Sequence, residues 1–219
     1  MKESQQLFQA LVVEKISRIG QLEIERLEGG FALSHRDDAG RSDLRKHEID
    51  AAFEIAKFDD AGNYRPLKTA PTLRHGWKIL ARDLLRVEQV IDAIYPGRLA
   101  ILHAFKSGGL TTTSLRETSN RQSGMYRVAA KISDKQIDGL VGDFCRSDGG
   151  CLRTILWKRD VSDKDPSLKL PPEKFDPAVD QYLTAKRPRS ATAATESIPL
   201  LCQEACNLLV AEARKIVKK

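Results

Sequence analysis

The chain has 219 residues, 41% of them apolar and 30% charged, and a formal net charge of +6. That is enough to bury one large core or two modest ones, and it carries no bias toward disorder over most of its length. The first ten residues hold no apolar signal core, and runs such as Leu208-Leu209-Val210 are far too short to cross a bilayer, so a soluble, cytoplasmic protein with no membrane partner is expected.

The positive excess is one-sided. Residues 1–96 hold 15 Lys and Arg against 16 Asp and Glu, whereas residues 97–219 hold 21 against 14. A basic half attracts nucleic acid, membranes or polycarboxylates, or offsets the charge of a bound anionic group, and charge alone does not choose among these.

In chain order, Leu7, Leu11, Val12, Ile16 and Ile19 stand at helical spacing and predict an amphipathic helix over residues 5–19. Two alternating runs, at 22–25 and 31–33, flank Glu28-Gly29-Gly30 and predict a hairpin. Ser42 is a candidate cap for a helix reaching Phe58, and the Gly- and Pro-bearing stretch 59–71 reads as a loop. A long helix is predicted over 73–94, closed by Tyr95-Pro96-Gly97, where the domain boundary is placed. Beyond it, Leu99-Ala100-Ile101-Leu102 is the expected strand, 107–114 a Gly/Thr loop, and 115–131 and 133–144 helices, the second capped by Ser133. Residues 159–197, rich in Asp, Lys, Pro, Ser and Ala, read as a long surface excursion, and 199–218 as a final helix opened by Pro199. The expected architecture is α+β and mainly helical: a helical domain with a short hairpin over 1–96, and a cysteine-bearing domain over 97–219.

All four cysteines fall in the second half, as Cys145-x5-Cys151 and Cys202-x3-Cys206. In a reducing compartment thiols stay free to ligate metals. Residues four apart on a helix share a face, so Cys202 and Cys206 are expected to point to one site. The glycines of the Cys145–Cys151 loop let backbone N–H groups approach bound sulfur. Four thiolates meet the ligand count of a 4Fe-4S cluster or a structural zinc. Zinc knuckles favour shorter loops, while clusters accept more varied spacing. Spacing alone leaves a cluster, a zinc ion and plain burial of small apolar residues all open. If all four bind one cluster, no iron is left open for substrate, which suits electron transfer, redox sensing or structural support.

Several stretches carry a family resemblance. Residues 64–71 (YRPLKTAP), 121–126 (RQSGMY), 145–157 (CRSDGGCLRTILW) and 198–209 (IPLLCQEACNLL) resemble the domain pair attached to some bacterial CbiX-type sirohydrochlorin cobaltochelatases, in which a helical supporting domain precedes a small 4Fe-4S cluster-binding domain. The resemblance spans roughly residues 30–214. It implies that Cys145, Cys151, Cys202 and Cys206 are the cluster ligands, and that the partner is a CbiX-type chelatase or another tetrapyrrole-pathway enzyme. The CbiX catalytic unit, with its His-Gly motifs at strand ends, has no counterpart here. His75-Gly76 is expected at the start of a helix, so no chelatase activity is predicted for this chain alone.

Other features are weighed against plainer roles. Lys106-Ser107-Gly108-Gly109 followed by Leu110-Thr111-Thr112-Thr113 has the residues of a phosphate loop in the wrong order, and reads as an ordinary loop. His35, beside Arg36, Asp37 and Asp38, is expected in a surface turn. Arg116, Arg121, Arg127, Arg146, Arg153 and Arg159 either converge on the cysteines or form a solvated basic face, and Trp157 and Tyr126 either shield a cluster or pack in a core. The alternative function is a zinc-stabilised interaction or nucleic-acid-binding module. The low aromatic content, 6%, counts against single-strand binding and makes a nucleic-acid partner unlikely.

Overall fold

The computed structural model describes residues 17–65, 73–141, 154–157, 197–198 and 200–219. The fold is mixed α+β, and the chain divides into two compact units: Met1–His103 with Pro188–Leu200, and Ala104–Arg187 with Leu201–Lys219.

The first unit is built on a sheet. Strands β1 (Arg18–Ile19), β2 (Leu22–Leu27), β3 (Gly30–His35), β4 (Arg45–His47), β5 (Trp77–Ala81) and β7 (Ser197–Ile198) run in the order β4-β5-β3-β2-β1-β7. The predicted hairpin is β2–β3, antiparallel from Leu27↔Gly30 to Leu22↔His35. Its two-residue loop needs Gly29 at φ 119°, and Gly30 is equally required, because a Cβ there would sit 2.6 Å from the carbonyl oxygen of Ala81. After its first residue β3 is buried throughout, as befits a central strand, while β5 alternates, with Trp77, Ile79 and Ala81 inward and Leu80 outward.

Helix α1 (Ala51–Lys57) buries Ala52, Ile55 and Ala56, and α2 (Leu84–Ile94) buries Val87, Val90, Ile91 and Ile94 at helical spacing. Asp83 caps α2 by accepting the Arg86 N–H at 2.9 Å, and Gly97, at φ 70°, turns the chain after it. Tyr95 is wholly buried at the end of α2, and its hydroxyl accepts the Gln21 N–H at 2.8 Å, while Gln21 Oε1 accepts the Leu73 N–H at 3.0 Å. These bonds satisfy backbone groups inside the core, and they need Gly20 at φ 56° because a Cβ there would meet Tyr95 Oη and Leu200 Cδ1, each at 2.8 Å.

This sheet corrects the picture of a helical N-terminal domain with a short hairpin. Residues 73–94 are not one helix: Gly76, at φ 80°, starts β5, and Asp83 starts α2. The segment expected to be helical from Ser42 holds β4 before α1, and the strand expected at Leu99–Leu102 is part of helix α3 (Arg98–Lys106). The opening helix lies mostly outside the described residues, and its last residues form β1.

In the second unit, α4 (Leu115–Arg121) is capped by Ser114, which accepts the Glu117 N–H at 3.0 Å. A 3-10 helix (Gly124–Lys131) follows. Helix α5 (Asp134–Leu140) opens on a reciprocal cap in which Gln136 Oε1 accepts the Ser133 N–H at 2.9 Å and Ser133 Oγ accepts the Gln136 N–H at 3.4 Å. Strands β6 (Thr154–Ile155) and β8 (Leu201–Cys202) pair in parallel, and α6 (Asn207–Lys218) ends the chain. Leu115, Ala129, Ile132, Ile137, Val141, Trp157, Leu209, Val210 and Ala213 form the core of this unit. The excursion predicted at 159–197 lies almost wholly outside the described residues.

Candidate cysteine centre

Cys202 and Cys206 share the second unit's apolar core, Cys202 buried within it and Cys206 half-buried against it. They are not successive turns of one helix, which corrects the expectation from spacing. Cys202 sits in β8, where its carbonyl accepts the Leu156 N–H at 2.9 Å, and its thiol lies 3.0 Å from the carbonyl oxygen of Glu204. Cys206 is the N-cap of α6: its carbonyl accepts the Val210 N–H at 3.0 Å, and its Sγ accepts the Leu209 N–H at 3.5 Å. Cysteine is an uncommon N-cap, since Ser, Thr, Asp and Asn accept this bond better. The N-terminus of a helix directs N–H groups and the positive end of its dipole at whatever is bound there.

Cys145 and Cys151, the other two predicted ligands, lie outside the described residues, as do Arg146, Arg153 and Arg159.

The same core holds polar groups that its packing does not satisfy. Among the described residues, the Nε1–H of Trp157, a fully buried side chain, has no hydrogen-bond partner, and neither do Thr118 Oγ1 and Ser119 Oγ on α4. Each unpaired buried donor costs about 1–3 kcal/mol. Trp157 shares that core with Cys202 and Cys206, and buried N–H donors of this kind tune thiolate-bound iron. The chemistry of the donor set therefore fits an iron–sulfur group.

The remaining candidates separate clearly. Arg116 is paired with Asp134 and the Ile132 carbonyl, and Arg121 with Glu117, so both guanidiniums are committed to near neighbours. Trp157 is the core aromatic, whereas Tyr126 is exposed, with the Arg214 guanidinium 5.2 Å from its ring centre. Lys106 closes α3, so the loop after it begins at the negative end of a helix dipole, the wrong end for a phosphate; the loop instead ties its backbone down through Thr113 N–H to the Gln203 carbonyl at 3.0 Å. His35 is not in a surface turn: it is fully buried at the end of β3. His75-Gly76 leads into β5 rather than into a helix.

With this geometry, comparison with known proteins defines the class. Residues 107–215 match the 4Fe-4S iron-sulfur cluster binding domain family and residues 4–106 the DR2241 stabilising domain family. The two matches lie end to end and pair a stabilising-domain segment with a cluster-binding segment. Among solved structures it is similar to DR2241 from Deinococcus radiodurans, described as a multi-domain protein with structural similarity to chelatases and two additional novel domains. The likeness has a TM-score of 0.72 at 22% identity, and covers 99% of this chain and 42% of that one. At that identity it speaks for the fold. A search of curated proteins returned no match. Among the described residues no helix is long and apolar enough to cross a membrane.

Proposed function

We propose that the chain carries one 4Fe-4S cluster on Cys145, Cys151, Cys202 and Cys206, and that it serves a chelatase-type enzyme of tetrapyrrole or cobalamin synthesis in the cytoplasm as an electron-transfer, redox-regulatory or supporting component. The observation that carries this reading is the seating of Cys202 and Cys206 in one apolar core, with Cys206 at a helix N-terminus, inside the segment that matches the cluster-binding family. The β6–β8 pairing supports it, because Cys151 is only three residues ahead of Thr154 in the sequence and Ile155 pairs with Cys202. When bound, a fully thiolate-ligated cluster exchanges single electrons and braces the segments that hold it. The chain's own contribution is to seat the Cys202 and Cys206 sulfurs in an apolar core and to direct the Leu209 N–H at Cys206 Sγ. A chelatase partner is suggested by the chelatase-like description of DR2241, of whose length this chain spans 42%.

Anaerobic purification tests the cluster. About four irons and four acid-labile sulfides per chain, with a brown colour bleached by dithionite, are expected. Cys202→Ser should lose them while the sheet-bearing unit stays folded by circular dichroism. Zinc in place of iron, or full cluster content in Cys202→Ser, would overturn the ligand assignment.

A further inference from the structure

The first unit holds a second cluster of metal-ligating side chains that owes nothing to the cysteines. His35, at the end of β3, is fully buried, and its Nδ1 accepts the Asp37 N–H at 3.1 Å and lies 3.8 Å from Asp37 Oδ2. That bond puts the ring proton on Nε2, which is buried and has no hydrogen-bond partner among the described residues. His75 packs its ring against that of His35, with centroids 3.9 Å apart and planes at 47°. One ligand atom from each of His35, Asp37 and His75 falls within 4.8 Å of the others.

The backbone around His75 is held from both sides. Asp60 Oδ1 accepts the His75 N–H at 3.1 Å, and Asp38 Oδ2 accepts the Gly76 N–H at 2.7 Å, while Asp38 Oδ1 pairs with Arg41 at 2.7 Å. Asp38 is itself buried, and its Oδ2 is 3.9 Å from His75 Nδ1; Asp60 Oδ2 is 3.9 Å from His75 Nε2. A carboxylate behind a ligating imidazole is the arrangement that orients such ligands in metal sites.

Packing does not account for these residues. An apolar side chain would fill the place of His35 without a stranded ring nitrogen, and two imidazoles in contact gain little from each other in the absence of a shared ion. We propose that His35, Asp37 and His75 form a binding site for a divalent first-row transition ion such as zinc or cobalt. Two imidazoles and a carboxylate are a ligand set that these ions accept. His35 is the fixed ligand and binds through Nδ1, which gives up the Asp37 N–H for the ion and keeps the ring proton on Nε2. Asp37 and His75 are on the open side, with side chains 59% and 37% exposed, and each closes on the ion by roughly an ångström to reach bonds of about 2.0–2.2 Å. The site leaves at least one position for water or for a ligand passed from outside.

Co²⁺ titration of the metal-stripped full-length chain tests this, run in parallel on Cys202→Ser so that thiolate binding is separated from binding here. The expected result is one equivalent with the visible ligand-field bands of nitrogen and oxygen ligation in both proteins, separate from any Co²⁺ that the cysteines bind with near-ultraviolet thiolate charge transfer. His75→Ala and Asp37→Asn change exposed side chains, so at least one folded variant is available. Each should weaken Co²⁺ and competing Zn²⁺ by no less than the about ten- to hundredfold that loss of even an outer-shell partner costs a metal site. Unchanged affinity in a folded variant, or binding that disappears in Cys202→Ser, would overturn the site and leave His35 a purely structural residue.

Discussion

At the scale of single residues, His35 shows how burial fixes chemical state. Burial first, and then the neighbouring His75, push its pKa down from 6.5 to about 4. The folded chain therefore keeps the ring neutral where the unfolded chain protonates it. Because the folded value is the lower one, the contribution to stability is fully present above about pH 6.5 and is lost as pH falls toward 4. Urea midpoints of the chelator-treated chain should fall over that window, and His35→Gln should flatten the fall; an equally steep loss in the variant would assign it to other groups. Asp38 behaves differently. Burial opposes its ionisation, but the Gly76 N–H and the Arg41 guanidinium outweigh it and hold the carboxyl below the usual carboxylate range. None of this is legible in the sequence, where His35 in a run of polar neighbours resembles a turn. What buries it is the pairing of β3 with β2 and β5, which brings partners from 40 residues away.

At the scale of elements, the informative case is α6. Cys206 both caps this helix and is a proposed ligand, and substitution separates the two roles. Cys206→Ser preserves an N-cap acceptor and should lose the cluster while keeping the stability of the cluster-free chain. Cys206→Ala should lose the cluster and in addition cost about 1 kcal/mol in cluster-free denaturation. Equal cluster-free stability of the two variants would contradict the capping role. The helix start is hidden in the sequence because Leu200, Leu201, Leu208 and Leu209 mimic one continuous helical face, and the pairing of β8 with β6, whose sequence neighbour is more than 40 residues away, is a non-local contact. A similar ambiguity merges β5 and α2: Trp77, Ile79 and Ala81 alternate with period two, but the signal is only five residues long and runs directly into a strong helix. The hairpin at Glu28-Gly29 and the cap at Ser133 are legible because their determinants lie within a few residues of each other.

At the scale of the molecule, the two units are built differently. One is a sheet whose core is closed by α2 and Tyr95, and which holds the proposed His35–Asp37–His75 site; the other is a smaller helical unit around the cysteines. Cysteine content and the basic second half leave a cluster, a zinc ion and plain burial open, and it is the motif resemblance that points to the cluster-binding class, because local stretches of sequence can be matched without any long-range pairing. The identity of the four ligands is the central claim, and only Cys202 and Cys206 fall among the described residues. The direct measurement is Mössbauer spectroscopy of the anaerobically purified, ⁵⁷Fe-enriched chain. Four tetrahedral sulfur-ligated irons in a delocalised spectrum that substrate-like anions and thiols leave unchanged are predicted. A spectrum with a distinct, ligand-responsive iron site would contradict the account by showing that one position is not held by cysteine.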